Sequence, residues 1–289
     1  MPVEVIRPGL LTTVQDLGRP GLAALGVGRS GAADRRSAAL ANRLVGNRET
    51  AACLEVTLGG LAVRFPDAAW IAVTGAPCRI DRNGRSEAVN CAIRVAPGEV
   101  VVLDRPTAGL RSYLAVRGGF AVAAELGSRS TDLLSGLGPA ALCPGDLVPI
   151  GEDIAGPLPP IDVAPVAAPS AAALTVRVLL GPRQDWFSPD ALHTLTRSPY
   201  VVTSQSNRIG VRLDGPPLTR SRGGELPSEG MVAGALQVPP NGKPVLFLAD
   251  HPVTGGYPVI AVVRTDDLPV VAQAVPGQAL SFRVTSLAS

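Results

Sequence analysis

The chain has 289 residues, 46% of them hydrophobic, 17% charged and 3% aromatic, with a formal net charge of +2. That composition supports one large or two ordinary folded cores and excludes a disordered chain. The mild charge balance, with no basic run interleaved with aromatics and no apolar run of bilayer length, gives no footing to nucleic acid or a membrane as partner.

Read in order, the pattern is one of short strands. Val3–Ile6 and Leu10–Val14 flank Pro8-Gly9, and Gln15-Asp16-Leu17-Gly18-Arg19-Pro20-Gly21 follows as a tight polar loop. Gln15, Asp16 and Arg19 offer site-lining groups, although an Asp16–Arg19 pair that merely fixes the loop is the simpler reading. Asp34 then caps the clearest helix: Ala38, Ala41, Leu44 and Val45 lie on one stripe, and Gly46-Asn47 ends it. Asn42 inside this helix is a poor helix former and implies a specific hydrogen bond. Ser30-Gly31 ahead of it either caps the helix or offers a hydroxyl and N–H groups to an anion.

Strands follow at Leu54–Thr57, Leu61–Phe65, Trp70–Thr74, Cys78–Asp81, Val89–Val95, Val100–Leu103 and Arg111–Val116, with Asn83-Gly84 as a hairpin signal. Glu55 within an apolar strand must be paired or at a site. Between the strands Phe120–Val122 and Leu147–Ile150, Arg129 sits among Ser128, Ser130, Thr131 and Asp132, which suits an anion or a self-satisfied loop. The Pro/Gly/Ala-rich stretch 156–172 reads as a linker between two β-rich domains, 1–155 and 173–289.

The second domain continues with Leu174–Leu180, a short helical segment Pro189–Thr196, and Pro199–Thr203. Arg208 then stands at a strand start. A glycine-rich acidic loop, Gly223–Met231, carries Glu229 and precedes Gly234–Gln237. The stretch QVPPNGKPVLFLADHPVTGGYPVIAVV, residues 237–263, reads as strand, polar loop, strand. A hairpin of Val245–Ala249 and Val259–Val263 would hold Asp250, His251, Thr254, Gly255, Gly256 and Tyr257 close together. Leu268–Val275, read as helical, and a last strand Ala279–Val284 close the chain.

Several chemistries lack their motif. Cys53, Cys78, Cys91 and Cys143 have neither zinc-like nor redox-like spacing, and His193 and His251 lie far apart, so no metal site is expected. Lys243 is the only lysine and sits in a turn, which leaves no biotin-attachment site. There is no G-x-x-x-x-G-K-[ST] phosphate loop and no G-x-S-x-G elbow. Any anion must therefore be held by arginine or by backbone N–H groups. The N-terminus MPVEVIRPGLLTTVQDLGRPG has no charged head before a long apolar run, so no signal peptide is read and the cytoplasm is the expected location.

Four segments, in order, carry a resemblance: GVGRSGAADRRSAALANRLVGN; YLAVRGGFAV with LGSRSTD; SNRIGVRL; and ELPSEGMVAGALQVPPNGKPVLFLADHPVTGGYP. Together they resemble the biotin-dependent carboxyltransferase-like family, whose members are also labelled the 5-oxoprolinase C subunit, KipA or allophanate hydrolase subunit 2. The matches run from near residue 10 to near residue 283. The resemblance implies a mainly β fold of two barrel-like domains with a few short helices, the C-terminal one cyclophilin-like.

It also implies work in a hetero-oligomer with the KipI-like B subunit and the A subunit of 5-oxoprolinase. That assembly opens the lactam of 5-oxoproline to glutamate with ATP, with or without Mg2+, and this chain alone would be nearly inactive. No covalent biotin is expected on it. Two other readings stand beside this one: a regulatory protein that binds a KipI-like kinase inhibitor, and a carboxyltransferase acting on carrier-borne biotin. For lactam opening, the groups expected to act are Arg208, Asp250 and Glu229. Ser30 and the N–H groups of Thr254, Gly255 and Gly256 would bind phosphate or substrate, and Asn42, Gln237 and Tyr257 would position substrate. One departure is visible: His251-Pro252-Val253 stands where the family usually has an Arg-Gln-Thr-like segment.

Overall fold

The computed structural model describes residues 2–224 and 226–286; Glu225 of the acidic loop lies outside the described residues. The fold is mainly β, with three short α-helices among the described residues. The chain divides into two compact units. The first holds the residues up to Arg19, Ser30–Asp132 and Gly136–Pro169. The second holds Pro20–Arg29, Leu133–Ser135 and the chain from Ser170 on.

In the first unit, β1 (Pro2–Pro8) and β2 (Leu11–Gln15) precede α1 (Arg35–Leu44). After it come β3 (Cys53–Thr57), β4 (Leu61–Arg64), β5 (Ala69–Gly75), β6 (Ile80–Arg82), β7 (Arg85–Glu87), β8 (Ala92–Val95), β9 (Val100–Leu103), β10 (Arg111–Val116) and β11 (Leu147–Pro149). They build a six-stranded sheet, β11-β1-β4-β9-β6-β7, and a five-stranded sheet, β2-β3-β10-β5-β8. Val3, Val63, Ile80 and Leu103 of the first sheet share one core with Leu54, Ile71, Val73 and Leu114 of the second. The sheets therefore pack face to face. On its other face β10 turns Tyr113 and Ala115 toward Ala38, Ala41 and Leu44 of α1. With both faces covered, every residue of β10 is buried, which is why this strand reads as a continuous run rather than an alternation.

Asp34 caps α1 through a side-chain bond from the Ser37 N–H, as the sequence predicts. Asn83 and Gly84 both hold positive φ, 47° and 82°, and set Arg82 opposite Arg85. That is the two-residue hairpin turn whose twist matches paired strands. Its second arm is the short β7 rather than the Val89–Val95 run.

The second unit contains β12 (Leu174–Leu180), α2 (Pro189–Arg197), β13 (Tyr200–Val202), β14 (Gly210–Asp214), β15 (Glu229–Gly230) and β16 (Ala235–Gln237). It continues with β17 (Val245–Phe247), β18 (Thr254–Gly255), β19 (Val259–Val263), α3 (Leu268–Ala272) and β20 (Ala279–Val284). Seven strands close into a barrel in the order β12-β19-β16-β17-β14-β13-β20. Val178, Leu213, Leu236, Leu246, Ile260 and Phe282 fill it, and Ala191 and Leu195 of α2 join the same core. Ser188 caps α2 and Pro189 occupies its first turn.

The connection between β17 and β19 overturns the hairpin expectation. Both strands pair antiparallel with β16, so they run parallel to each other and need a crossover. Residues 248–258 make it. They carry β18, which pairs with β15 through Glu229 opposite Gly255 and Gly230 opposite Thr254. The crossover lies beside an outer apolar patch of Met231, Ala235, Phe247 and Val259; Met231 donates its N–H to the Val253 carbonyl at 2.8 Å. Asp250 thus follows the C-terminal end of β17 and Tyr257 precedes the N-terminal start of β19. The two sit toward opposite ends of the barrel wall, not side by side.

Candidate functional site

At one end of the barrel, Arg208 and Asp250 form a bidentate pair. Arg208 Nε donates to Asp250 Oδ2 at 2.9 Å and Nη2 to Oδ1 at 2.8 Å. The Leu133 N–H adds a bond to Oδ2 at 3.1 Å, and the Asp250 N–H returns one to the Arg208 carbonyl at 3.0 Å. Both residues are 1% exposed. A bidentate guanidinium–carboxylate pair out of water is stable because each charge answers the other. Neither charge faces solvent, and the pair ties the start of β14 to the end of β17.

At the other end, Glu229, Gln237, Thr254, Gly255, Gly256 and Tyr257 come together. Arg183 grips the Glu229 carboxylate, with Nε at 2.9 Å from Oε1 and 3.1 Å from Oε2. Hydrogen bonding from Arg183 holds the Glu229 carboxyl below its usual range. Gln237 Nε2 donates to the Tyr257 carbonyl at 3.1 Å, and the Leu226 N–H donates to the Gly256 carbonyl at 3.1 Å. The guanidinium of Arg220 lies 5.6 Å over the Tyr257 ring, a cation–π contact. Arg220 also lines an open cleft of about 640 Å³ between Pro217–Gly224 and Pro240–Gly242. His251 is not part of this group. Its ring stacks on Phe247 at 6.1 Å, and its Nδ1 lies 2.8 Å from the Pro252 carbonyl oxygen.

Ser30 and Asn42 belong to the first unit. Ser30 adopts φ +53° and its hydroxyl donates to the Thr131 carbonyl at 3.2 Å. The start of α1 already has acceptors from this chain: the Ala33 N–H donates to Glu55 Oε2 at 2.9 Å and the Asp34 N–H to the Tyr113 hydroxyl at 2.8 Å. Tyr113 donates its own hydroxyl proton to Glu55 Oε2 at 2.8 Å, and Arg111 stands 3.3 Å from Glu55 Oε1. Burial, then the nearby Glu55 and Asp34 charges, push the Tyr113 phenol well above its ordinary range. The carboxylates at this positive helix end are thus Asp34, which accepts the Ser37 N–H at 3.1 Å, and Glu55 just ahead of it. Asn42 makes the specific bonds its position implies, from Nδ2 to the Ala51 carbonyl at 2.8 Å and to Oδ1 from Asn47 at 2.9 Å.

The first unit also holds a buried polar centre whose members the sequence leaves scattered. Asp16 accepts from the Gly18 N–H at 2.7 Å, the hydroxyls of Ser128 and Ser130 at 2.6 and 2.5 Å, and the Arg129 N–H at 2.6 Å. Arg129 itself donates Nε to the Val122 carbonyl at 3.0 Å. Arg19 does not pair with Asp16. It donates Nε to the Glu125 carbonyl at 3.2 Å and Nη2 to the Ser130 carbonyl at 2.6 Å. Gln15 Oε1, Arg19 Nη1 and Thr131 Oγ1 are buried without a hydrogen-bond partner. Each such atom costs about 1–3 kcal/mol when unsatisfied. The signal is present in Gln15-Asp16-Leu17-Gly18-Arg19, but its partners lie more than a hundred residues on.

Among the described residues, no group of three His, Cys, Asp or Glu side chains stands where it could hold a metal ion. Nor does any helix among them reach the length and apolarity needed to cross a membrane.

The chain matches the family described as carboxyltransferase domain, subdomain A and B, over residues 25–284. It is 38% identical to the 5-oxoprolinase C subunit of Escherichia coli, over 99% of this chain and 92% of that protein. It is 32% identical to the 5-oxoprolinase C subunit of Haemophilus influenzae over the same shares of each chain. Against the solved structure of K. lactis urea amidolyase the TM-score is 0.93 at 32% identity, covering 99% of this chain but 19% of that one.

Proposed function

This chain belongs to the family of carboxyltransferase domains, subdomains A and B, and we propose that it is the C subunit of an ATP-dependent 5-oxoprolinase. With the B and A subunits it opens the lactam of 5-oxoproline to glutamate. The observation that carries this reading is the 38% identity spanning 99% of this chain and 92% of the Escherichia coli protein. The urea amidolyase relative is matched over only 19% of its length, so carboxyl transfer from carrier-borne biotin is the second reading.

A lactam carbonyl is unreactive until its oxygen is activated, and phosphorylation from ATP supplies that activation in the complex. The residues of this chain do not fit a nucleotide–magnesium site. Its one lysine, Lys243, bonds Asp214 at the surface, and no metal-holding group stands among the described residues. On this reading a partner chain of the assembly binds ATP. The part played by this chain is to hold and orient substrate.

In this reading the barrel end does that work. Gln237 fixes the Tyr257 loop, the Thr254–Tyr257 backbone and the Tyr257 phenol face the substrate, and Glu229 orients a polar hydrogen. Arg183 keeps Glu229 ionised, so it acts as a fixed carboxylate and not as a proton donor at neutral pH. Arg208 and Asp250 act from beneath, as positioning residues, and Ser30 and Asn42 shape the first unit.

The test is reconstitution of the three chains with glutamate release as readout. Activity should require all three, and Glu229→Gln should lower kcat/KM about tenfold or more without loss of assembly. A stable complex with no turnover of 5-oxoproline would favour the regulatory, KipI-binding role.

A further inference from the structure

Tyr257 is held at two places. Gln237 Nε2 bonds its carbonyl, which fixes the backbone and leaves the side-chain torsions to whatever touches the ring. The charged group over that ring is the Arg220 guanidinium, 5.6 Å from its centre. The same guanidinium donates Nη2 to the Val238 carbonyl, just past the end of β16. A planar guanidinium suits both tasks, because it can lie against an aromatic ring while its edge donates to a carbonyl; a compact ammonium does this less well. Arg220 thus joins the half-buried Tyr257 to the exit of β16.

The backbone that carries Arg220 is itself fixed. Phe187 and Arg220 form an antiparallel bridge: the Ser221 N–H donates to the Trp186 carbonyl at 2.8 Å and the Ser188 N–H to the Thr219 carbonyl at 3.2 Å. Phe187 is buried in the barrel core. The same ribbon begins with Arg183, whose guanidinium grips Glu229, and Arg222 ties it again by meeting Asp185 at 3.1 Å. One ribbon therefore sends one arginine to Glu229 and another to Tyr257.

We propose that Arg220 is a positioning residue, which sets the Tyr257 ring against the exit of β16 and, through the ribbon it shares with Arg183, in a fixed relation to Glu229. Its consequence for substrate rests on the barrel-end reading of function; the positioning itself does not. Arg220 also lines the cleft between Pro217–Gly224 and Pro240–Gly242. Its bond to Val238 and the bond from the Leu218 N–H to the Gly242 carbonyl at 2.9 Å tie the two walls of that cleft. Removing the guanidinium frees the ring and one of these ties, and leaves Arg183 on Glu229.

The experiment reads the tyrosine ring signals by NMR in the full chain, with the rings isotope-labelled. The chain has three tyrosines. Tyr113 and Tyr200 are fully buried and report the fold, and Tyr257→Phe assigns the third signal. Arg220→Met should move or broaden the Tyr257 signal alone, and Arg220→Lys should move it less. If Arg220→Met disturbs the Tyr113 and Tyr200 signals as well, Arg220→Lys is read in its place. A Tyr257 signal unchanged in a folded Arg220 variant overturns the proposal. In the three-chain assembly, Arg220→Met should raise KM for 5-oxoproline about fivefold with kcat held within about twofold, and Arg220→Lys should recover part of that loss. In a Tyr257→Leu background the same change should add less than about twofold. An equal effect in both backgrounds also overturns the proposal, since Arg220 would then act without the ring. If the Tyr257 signal answers to Arg220 but the assembly leaves 5-oxoproline intact, the 5-oxoprolinase reading falls and the positioning stands.

Discussion

A buried charge is defined by what answers it. Arg208 and Asp250 meet in bidentate fashion and the Leu133 N–H also bonds Asp250, so removing one member takes a two-bond partner from the other away from water. Asp250→Asn should lower the unfolding free energy by about 3–5 kcal/mol, whereas the double change Arg208→Met with Asp250→Leu should cost much less. Urea denaturation of the three proteins checks this. Equal losses in the single and double variants would refute the tie. The primary sequence shows that Arg208 and Asp250 are polar residues beside apolar runs. It does not show that the two bond each other across 42 residues.

At the scale of elements, the crossover 248–258 is the informative piece. Its two flanking strands were legible as apolar runs. Their order in the barrel was not, because β16, seven residues earlier in sequence, inserts between them. The same segment explains Gly255. A Cβ there would come within 2.7 Å of Gln237 Nε2, the end of a flexible side chain. Gly255→Ala should therefore keep the fold, at a cost of about 1 kcal/mol, but push Gln237 off the Tyr257 carbonyl and free the Tyr257 loop. On the proposed 5-oxoprolinase reading, the expected result is a raised KM for 5-oxoproline in the reconstituted three-chain assembly, with a nearly unchanged melting temperature. A large drop in melting temperature with unchanged KM would mean that Gly255 serves packing alone. Elements governed by local chemistry were read correctly, α1 from its Asp34 cap and the Asn83-Gly84 turn from its dipeptide, and α2 falls on the short helical segment expected at Pro189–Thr196.

For the molecule as a whole, the division into units does not follow the chain simply. Pro20–Arg29 and Leu133–Ser135 belong with the residues from Ser170 on. A fragment 170–289 would carry every strand of the barrel and yet lack the Leu133 N–H that bonds Asp250. Expressed alone, it should form β structure but unfold at lower denaturant than the intact chain, and adding 1–169 should recover part of the loss. Equal stability of fragment and intact chain would show that the two excursions contribute nothing.

By itself the sequence determined the mainly β character, the positions of α1 and most strands, and the family, because these depend on local periodicity, caps, turns and long colinear motifs. It also bounded the chemistry through its single lysine and scattered cysteines. Only the tertiary structure decided which polar residues share a place. Pairing sends Asp250 and Tyr257 toward opposite ends of one barrel wall, closes Arg208 on Asp250, and sets Gln15 and Arg19 on carbonyls more than a hundred residues away. Strand order and long-range hydrogen bonds are set by what each strand buries against, and that information is distributed over the whole chain and not written near any one residue.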